Sequence, residues 1–289
     1  MSGTFKCGIN PANTTLHHYH CFMPQLIFLH SAVRSMGQST WLWFEGWWRI
    51  MVLGADLFVL VLSPLSYRAA SRANLMHHIY LATAPSLMWF TVLTATFSLV
   101  LIRIVVVTAL SYGLSLYALE MVVRVLVLEL IPLTAALFVA VRYSIPRGSD
   151  LYKQRIRGGF DTLSRQHKDP IAQELLPSVV AGVFAVLTLA AVSCVVALVL
   201  AYFMVYGFTT AAFMIYTRTV GQIFNPAVTL IFALKTLFFS LTVSLIPAGI
   251  SLQDLPRALS RASVELQGLI RMFAVLLLIE MASLVGNYY

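Results

Sequence analysis

Three charged residues stand inside long apolar stretches of this chain: Glu129, Lys235 and Glu280. A charge in hydrocarbon costs several kcal/mol unless it is paired or faces a polar cavity. Two kinds of chemistry fit such a set. One is a substrate path or gate through an apolar bundle; the other is a buried ion network that fixes helix packing. Glu120 and Arg124 lie four apart on one helix and can neutralise each other, and Arg103 is the third charge expected in their neighbourhood.

Other groups that carry chemistry are sparse. His17, His18, His20 and Cys21 offer metal-ligand types but no matching second half, and structural metal sites draw four ligands from two separated clusters. His77-His78 falls at the entry to the first apolar stretch, where interfacial placement accounts for it. Cys194, in an apolar run, has the character of a small core residue. Three cysteines at 7, 21 and 194 make no C-x-x-C pair and no disulfide framework. The sequence contains no G-x-x-x-x-G-K-[ST], no H-E-x-x-H and no G-x-S-x-G. The apolar stretches as delimited below contain no Asp and no His, so catalysis by this chain alone is not expected, and neither is a bound cofactor or metal.

The elements that must hold these charges are set by composition. Of 289 residues 60% are apolar and 10% charged, and the mean hydropathy is +0.85. A soluble domain is near half apolar and about a quarter charged. The balance therefore excludes a soluble enzyme, a disordered chain and a nucleic-acid binder. The net charge of +8 is better understood as topology-setting charge beside a membrane. A spanning helix takes roughly 20 mostly apolar residues, and five such stretches occur, near 84–108, 117–141, 176–203, 226–247 and 266–286. Ser111-Tyr112-Gly113 is the natural turn between the first two.

Basic residues orient the spans. The 142–170 connection carries Arg142, Arg147, Lys153, Arg155, Arg157, Arg165 and Lys168. Arg68 and Arg72 precede the first span, and Arg257 and Arg261 separate the last two. The connections near 109–116 and 204–225 hold a single basic residue, Arg218. The positive-inside rule places the first set in the cytoplasm and the C-terminus outside.

Residues 39–67 combine Trp41, Trp43, Trp47 and Trp48 with Glu45, Arg49 and Asp56. Such a mixture suits an amphipathic helix in the membrane interface, with a sixth full span as the competing reading. Residues 1–38 make up an expected N-terminal arm, and residues 1–25 lack the continuous apolar segment of a signal peptide. The expected fold is an all-α polytopic membrane protein. It has an N-terminal interfacial amphipathic helix, five transmembrane helices over 80–286, and a cytoplasmic coupling helix between the second and third. Within 142–170, Ser149 or Asp150 is expected to cap that helix, Leu151, Ile156, Phe160 and Leu163 recur on one face, and Gly158-Gly159 weakens it.

The run from Leu128-Glu129-Leu130-Ile131-Pro132 through Thr134-Ala135-Ala136-Leu137 to Ala140-Val141-Arg142 resembles the E-L-G-P-x-x-[TA]-A-L-x-x-A-G-R segment of MlaE-type permeases. These are membrane subunits of MCE-associated ABC transporters that move lipids across the bacterial envelope. Asp150, Asp169-Pro170, Pro177, Ala181-Gly182, the lysine-bearing stretch around Lys235, Gly249-Ile250-Ser251 and the closing helix with Glu280 continue the resemblance in order, as a divergent member. Ile131 and Val141 stand at glycines of the family pattern, Leu128 stands at its arginine, and Gly158-Gly159 stands at its Glu-Gln.

The resemblance implies that Glu129, Lys235 and Glu280 sit near a lipid cavity or its supporting network. It implies that Arg142, Asp150, Lys153, Arg157, Asp169 and Pro170 belong to the segment that couples to an ATPase. It further implies a second permease copy or paralogue, a cytoplasmic ABC ATPase that binds ATP and Mg²⁺ in its own chain, a periplasmic MCE-domain protein, phospholipid as cargo, no nucleic acid, and the bacterial inner membrane as location. Two other functions remain: a scaffold subunit that is not itself driven, and a membrane-embedded lipid-modifying enzyme using Glu129 or Glu280 as base.

Overall fold

The computed structural model describes residues 48, 50–57, 59, 69–113, 115–160, 165, 171–252 and 261–288. The chain divides into two compact units, Met1–Arg49 and Ile50–Tyr289. The N-terminal arm 1–38, most of the tryptophan-rich stretch, the His17/His18/His20/Cys21 cluster, Lys168, Asp169 and Pro170 lie outside the described residues. Every regular element among those described is helical. They are α1 (residues 50–57), α2 (Ala69–Ser111), α3 (Ser115–Val122), α4 (Ile131–Val139), α5 (Ile145–Ile156), α6 (Leu176–Tyr206), α7 (Phe213–Ile223), α8 (Pro226–Ser251) and α9 (Arg261–Tyr288).

Five helical stretches are long and apolar enough to cross a membrane: Asn74–Ser111, Tyr117–Ile156, Gln173–Tyr206, Pro226–Ser251 and Glu265–Gly286. The expected spans fall inside them. Gly113 adopts a left-handed φ of 71° at the expected turn, a conformation nearly free of cost only for glycine. The first stretch starts ten residues earlier than its apolar core, which brings His77 and His78 into it and corrects the expectation of spans without histidine.

The second stretch is one unbroken rod in which two segments, Val123–Leu130 and Ala140–Ser144, wind as wide π-turns. A third π-turn, Ile171–Leu175, leads into α6. Each is followed within two residues by a proline: Pro132, Pro146 and Pro177. Proline has no N–H to donate, and its ring crowds the carbonyl four residues back. Widening the preceding turn relieves that crowding without breaking the helix. Two of the three freed carbonyls take side-chain donors: Leu128 O accepts from Lys235 Nζ at 3.4 Å, and Gln173 O accepts from Asn74 Nδ2 at 3.0 Å.

This winding also corrects the expected start of the coupling helix. α5 begins at Ile145 in direct continuation of the span, because Pro146 in a first helical turn needs no N–H. Ser149 is buried within it and Asp150 pairs with Lys153 at 2.7 Å, so neither is a cap. The helix ends at Ile156, and Gly158 just beyond it takes a left-handed φ of 75°.

α6 is the central element and packs against α2, α4 and α8, while α8 also packs against α5 and α9. Along α6, Ala181, Gly182, Ala185, Ala190, Ser193, Ala197 and Ala201 are buried, and small side chains let neighbouring backbones approach closely where lipid supplies no hydrophobic drive. Phe90 of α2 meets Phe138 of α4 with ring centroids 5.0 Å apart. In α1, Ile50, Leu53 and Leu57 are buried at helical spacing, and Ile50 faces Gly249 of α8. The connection expected over 204–225 contains a helix of its own, α7.

Candidate functional site

The charged site is built on α8. Asn225 caps this helix by accepting from the Ala227 N–H at 3.0 Å, and Pro226 occupies its first turn. Nine residues on, Lys235 is 3% exposed and Glu129, in the π-turn before Pro132, is 8% exposed. Lys235 Nζ donates to Glu129 Oε2, lies 2.9 Å from Glu280 Oε2 of α9, reaches Leu128 O at 3.4 Å and sits 5.7 Å from the centroid of the Phe239 ring. The three charges that composition only placed inside spans therefore meet at one point, joining the second, fourth and fifth spans.

Of the three ammonium donors, Glu129 and the Leu128 carbonyl each take one, while Glu280 Oε2 at 2.9 Å is an ion-pair contact outside hydrogen-bond geometry. Glu280 is the more open end of the set, its side chain 14% exposed against 2% for Lys235. The trio sets two carboxyl groups against one ammonium on three different spans. Such an arrangement can hold helices in register, and its carboxylates can accept from a donor that enters beside Glu280.

The remaining expected residues are not part of this point. Glu120 and Arg124 form their i,i+4 pair at 3.0 Å, both about a third exposed. Arg103 is exposed on α2 and joins no ion pair among the described residues. Of the coupling set, Arg142 and Arg157 are exposed, and Asp150 and Lys153 pair with each other.

Residues that sequence reasoning passed over tie α5 to the bundle. Arg147 Nη2 donates to Glu174 Oε2 at 3.0 Å and lies 3.4 Å from Nε2 of the buried His78. Arg155 donates to the Leu252 carbonyl at the end of α8, and Tyr143 OH contacts Ser178 O at 3.4 Å. His78 is thus packed between helices, while His77 beside it is exposed. Arg271, nine residues before Glu280 in α9, was also missed, although an arginine inside an apolar helix is itself a signal; it is part-buried and has no ion-pair partner among the described residues.

Among the described residues no group of His, Cys, Asp and Glu could hold a metal ion. A comparison with curated proteins finds no match. The sequence model of the family described as Permease MlaE matches residues 75–285, which spans all five membrane-crossing stretches and the Glu129–Lys235–Glu280 site, and the chain belongs to that family.

Proposed function

We propose that this chain is the permease subunit of an ATP-driven phospholipid transporter in the bacterial inner membrane. The observation that carries this reading is the buried trio of Lys235, Glu129 and Glu280 on three different spans within the family-matched segment. A polar point of that kind suits a cavity whose apolar walls hold acyl chains and whose charged zone meets a headgroup or gates its passage. The cavity forms where two permease copies, or this chain and a paralogue, pair. A cytoplasmic ABC ATPase, with its own ATP and Mg²⁺, drives it through α5 and the connection that follows. An MCE-domain protein receives or supplies lipid on the periplasmic side, where the C-terminus lies. α1 lies in the membrane interface.

The test is mass spectrometry of the proteins and lipids that co-purify with the chain in mild detergent. An ATPase and an MCE-domain protein in fixed ratio, with bound phospholipid, is the expected result. Isolation of the chain alone and lipid-free, under conditions that keep other ABC complexes whole, would overturn it. A second reading, a scaffold subunit that is not driven, draws support from the early end of α5 at Ile156. It predicts that Asp150→Ala or Lys153→Ala leaves ATP turnover of the complex unchanged.

A further inference from the structure

α7 and the turn before it present an unusual surface. Phe208 is 90% exposed, Met214 81%, Ile215 61% and Phe213 56%, all within eight residues at the end of the bundle opposite α5. The opposite face of α7 is well packed: Tyr216 and Ile223 are buried in the cluster that holds Leu119, Val122, Val123, Cys194 and Ala201. The exposure therefore belongs to a fixed helix and not to a loose one.

Three observations say what covers it. The first is depth. Tyr216 OH donates to the Leu198 carbonyl at 2.8 Å, and Leu198 lies eight residues, roughly 12 Å, before the end of α6. At that level α6 exposes Val195 and Val199, side chains that face hydrocarbon in a membrane-crossing helix, so α7 is held alongside the apolar part of the bundle. The second is continuity. Phe208 stacks on Phe203 of α6 with centroids 4.9 Å apart, and Phe213 meets Tyr202 at 6.0 Å. These contacts extend an aromatic cluster of Tyr202, Phe203, Tyr206 and Tyr216 that joins the end of α6 to α7.

The third is the treatment of hydroxyls. Thr217 Oγ1 donates to Phe213 O and Thr219 Oγ1 to Ile215 O, each at 2.9 Å, as exposed Thr96 in the first span does to Val92 O. A hydroxyl turned back onto its own helix is satisfied without water, which is what a lipid-facing helix requires. Arg218 is the only charge on α7, and a single long cation beside an apolar face reaches to phosphate level by extending its stem.

We infer that α7 lies in the bilayer leaflet opposite α5, with Phe208, Phe213, Met214 and Ile215 among its acyl chains and Arg218 at its phosphates. The face is a lipid surface and not a docking site for protein. This reading needs neither a lipid cavity nor an ATPase, so it succeeds or fails apart from the transport proposal.

The test uses the full chain carrying Cys7→Ser and Cys21→Ser, reconstituted in vesicles of phosphatidylethanolamine and phosphatidylglycerol, with a nitroxide attached at Met214→Cys or, separately, at Gln222→Cys. Collision rates with oxygen, which partitions into lipid, and with a water-soluble nickel chelate are read from the spin-label spectra. The expected result is oxygen exceeding the chelate several-fold at 214, with a lower ratio at 222, one turn beyond Arg218 on the same face. A chelate rate equal to or above the oxygen rate at 214 would overturn the inference. So would a label at 214 that is open to the chelate in the chain alone and shielded from both probes only when other proteins co-purify, since that pattern marks a protein interface.

Discussion

At the scale of single residues the energetics centre on Lys235. Removing one partner from a buried ion set leaves an uncompensated charge and costs about 3–5 kcal/mol, whereas replacing the whole set with neutral groups of similar volume is often close to neutral. Lys235→Ala leaves Glu129 and Glu280 facing each other across the space that Nζ occupied. It should therefore lower the thermal unfolding temperature in detergent sharply, and the triple substitution Glu129→Gln, Lys235→Met, Glu280→Gln should recover most of that loss. Lipid loading and ATPase rate measured on the triple variant then separate two roles: function lost at restored stability assigns the charges to transport, and function retained assigns them to packing. The residue types were legible, since charge in an apolar run stands out. Their meeting was not. Nothing in spacing along the chain relates Glu129 to Lys235, and the Leu128 carbonyl becomes an acceptor only because Pro132 forbids the helical bond that would otherwise occupy it.

At the scale of elements, α5 is bound to its neighbours by two distinct kinds of contact. On one side Gly148 lies against α8 so closely that an added Cβ would stand 2.9 Å from Pro247 O and 3.0 Å from Pro247 Cβ. Backbone cannot swing aside as a side-chain tip can, so Gly148→Ala should force α5 away from α8 at about 1–3 kcal/mol, seen as a lower unfolding temperature. On the other side the Arg147 guanidinium bridges Glu174 and His78. The Arg147 and Glu174 side chains are about a quarter exposed, which holds the worth of their pair to about 1 kcal/mol. Arg147→Ala should accordingly raise hydrogen exchange over 143–156 while leaving exchange in α8 and α9 unchanged; equal acceleration in all three would show that the clamp is not local. Span number was readable from hydropathy because five apolar runs dominate their helices. The fusion of span two with α5 was not, since Pro146 and Ser149 resemble a helix start until the wide turn at Ala140–Ser144 is known to absorb the proline. α7 escaped because its 11 residues mix Thr, Arg and Gln with apolar types and fall below span length.

At the scale of the whole molecule, contacts among chain segments distant in sequence decide which connections share an end. Asn74 at the start of the first span bonds Gln173 before the third, and Arg155 after the second bonds Leu252 after the fourth. The segments before span one, between spans two and three, and after span four are therefore gathered together, and they include Arg147, Lys153, Arg155 and Arg157. The opposite end holds Gly113, α7 and Arg218 as its one basic residue. Basic residues near span ends are retained on the cytoplasmic side, so the prediction is that the α5 end faces the cytoplasm and that, with five crossings, the C-terminus faces the other side. A reporter fused after Tyr289 should be active if it is alkaline phosphatase, which needs the oxidising periplasm for its disulfides, and should be silent if it is a fluorescent protein that matures only in the cytoplasm. The reverse pattern would put α7 in the cytoplasmic leaflet and α5 beyond the reach of any cytoplasmic ATPase. It would end the transport proposal while leaving the inferred lipid contact of α7 intact, because that contact depends on depth beside Leu198 and not on which face of the membrane is inside.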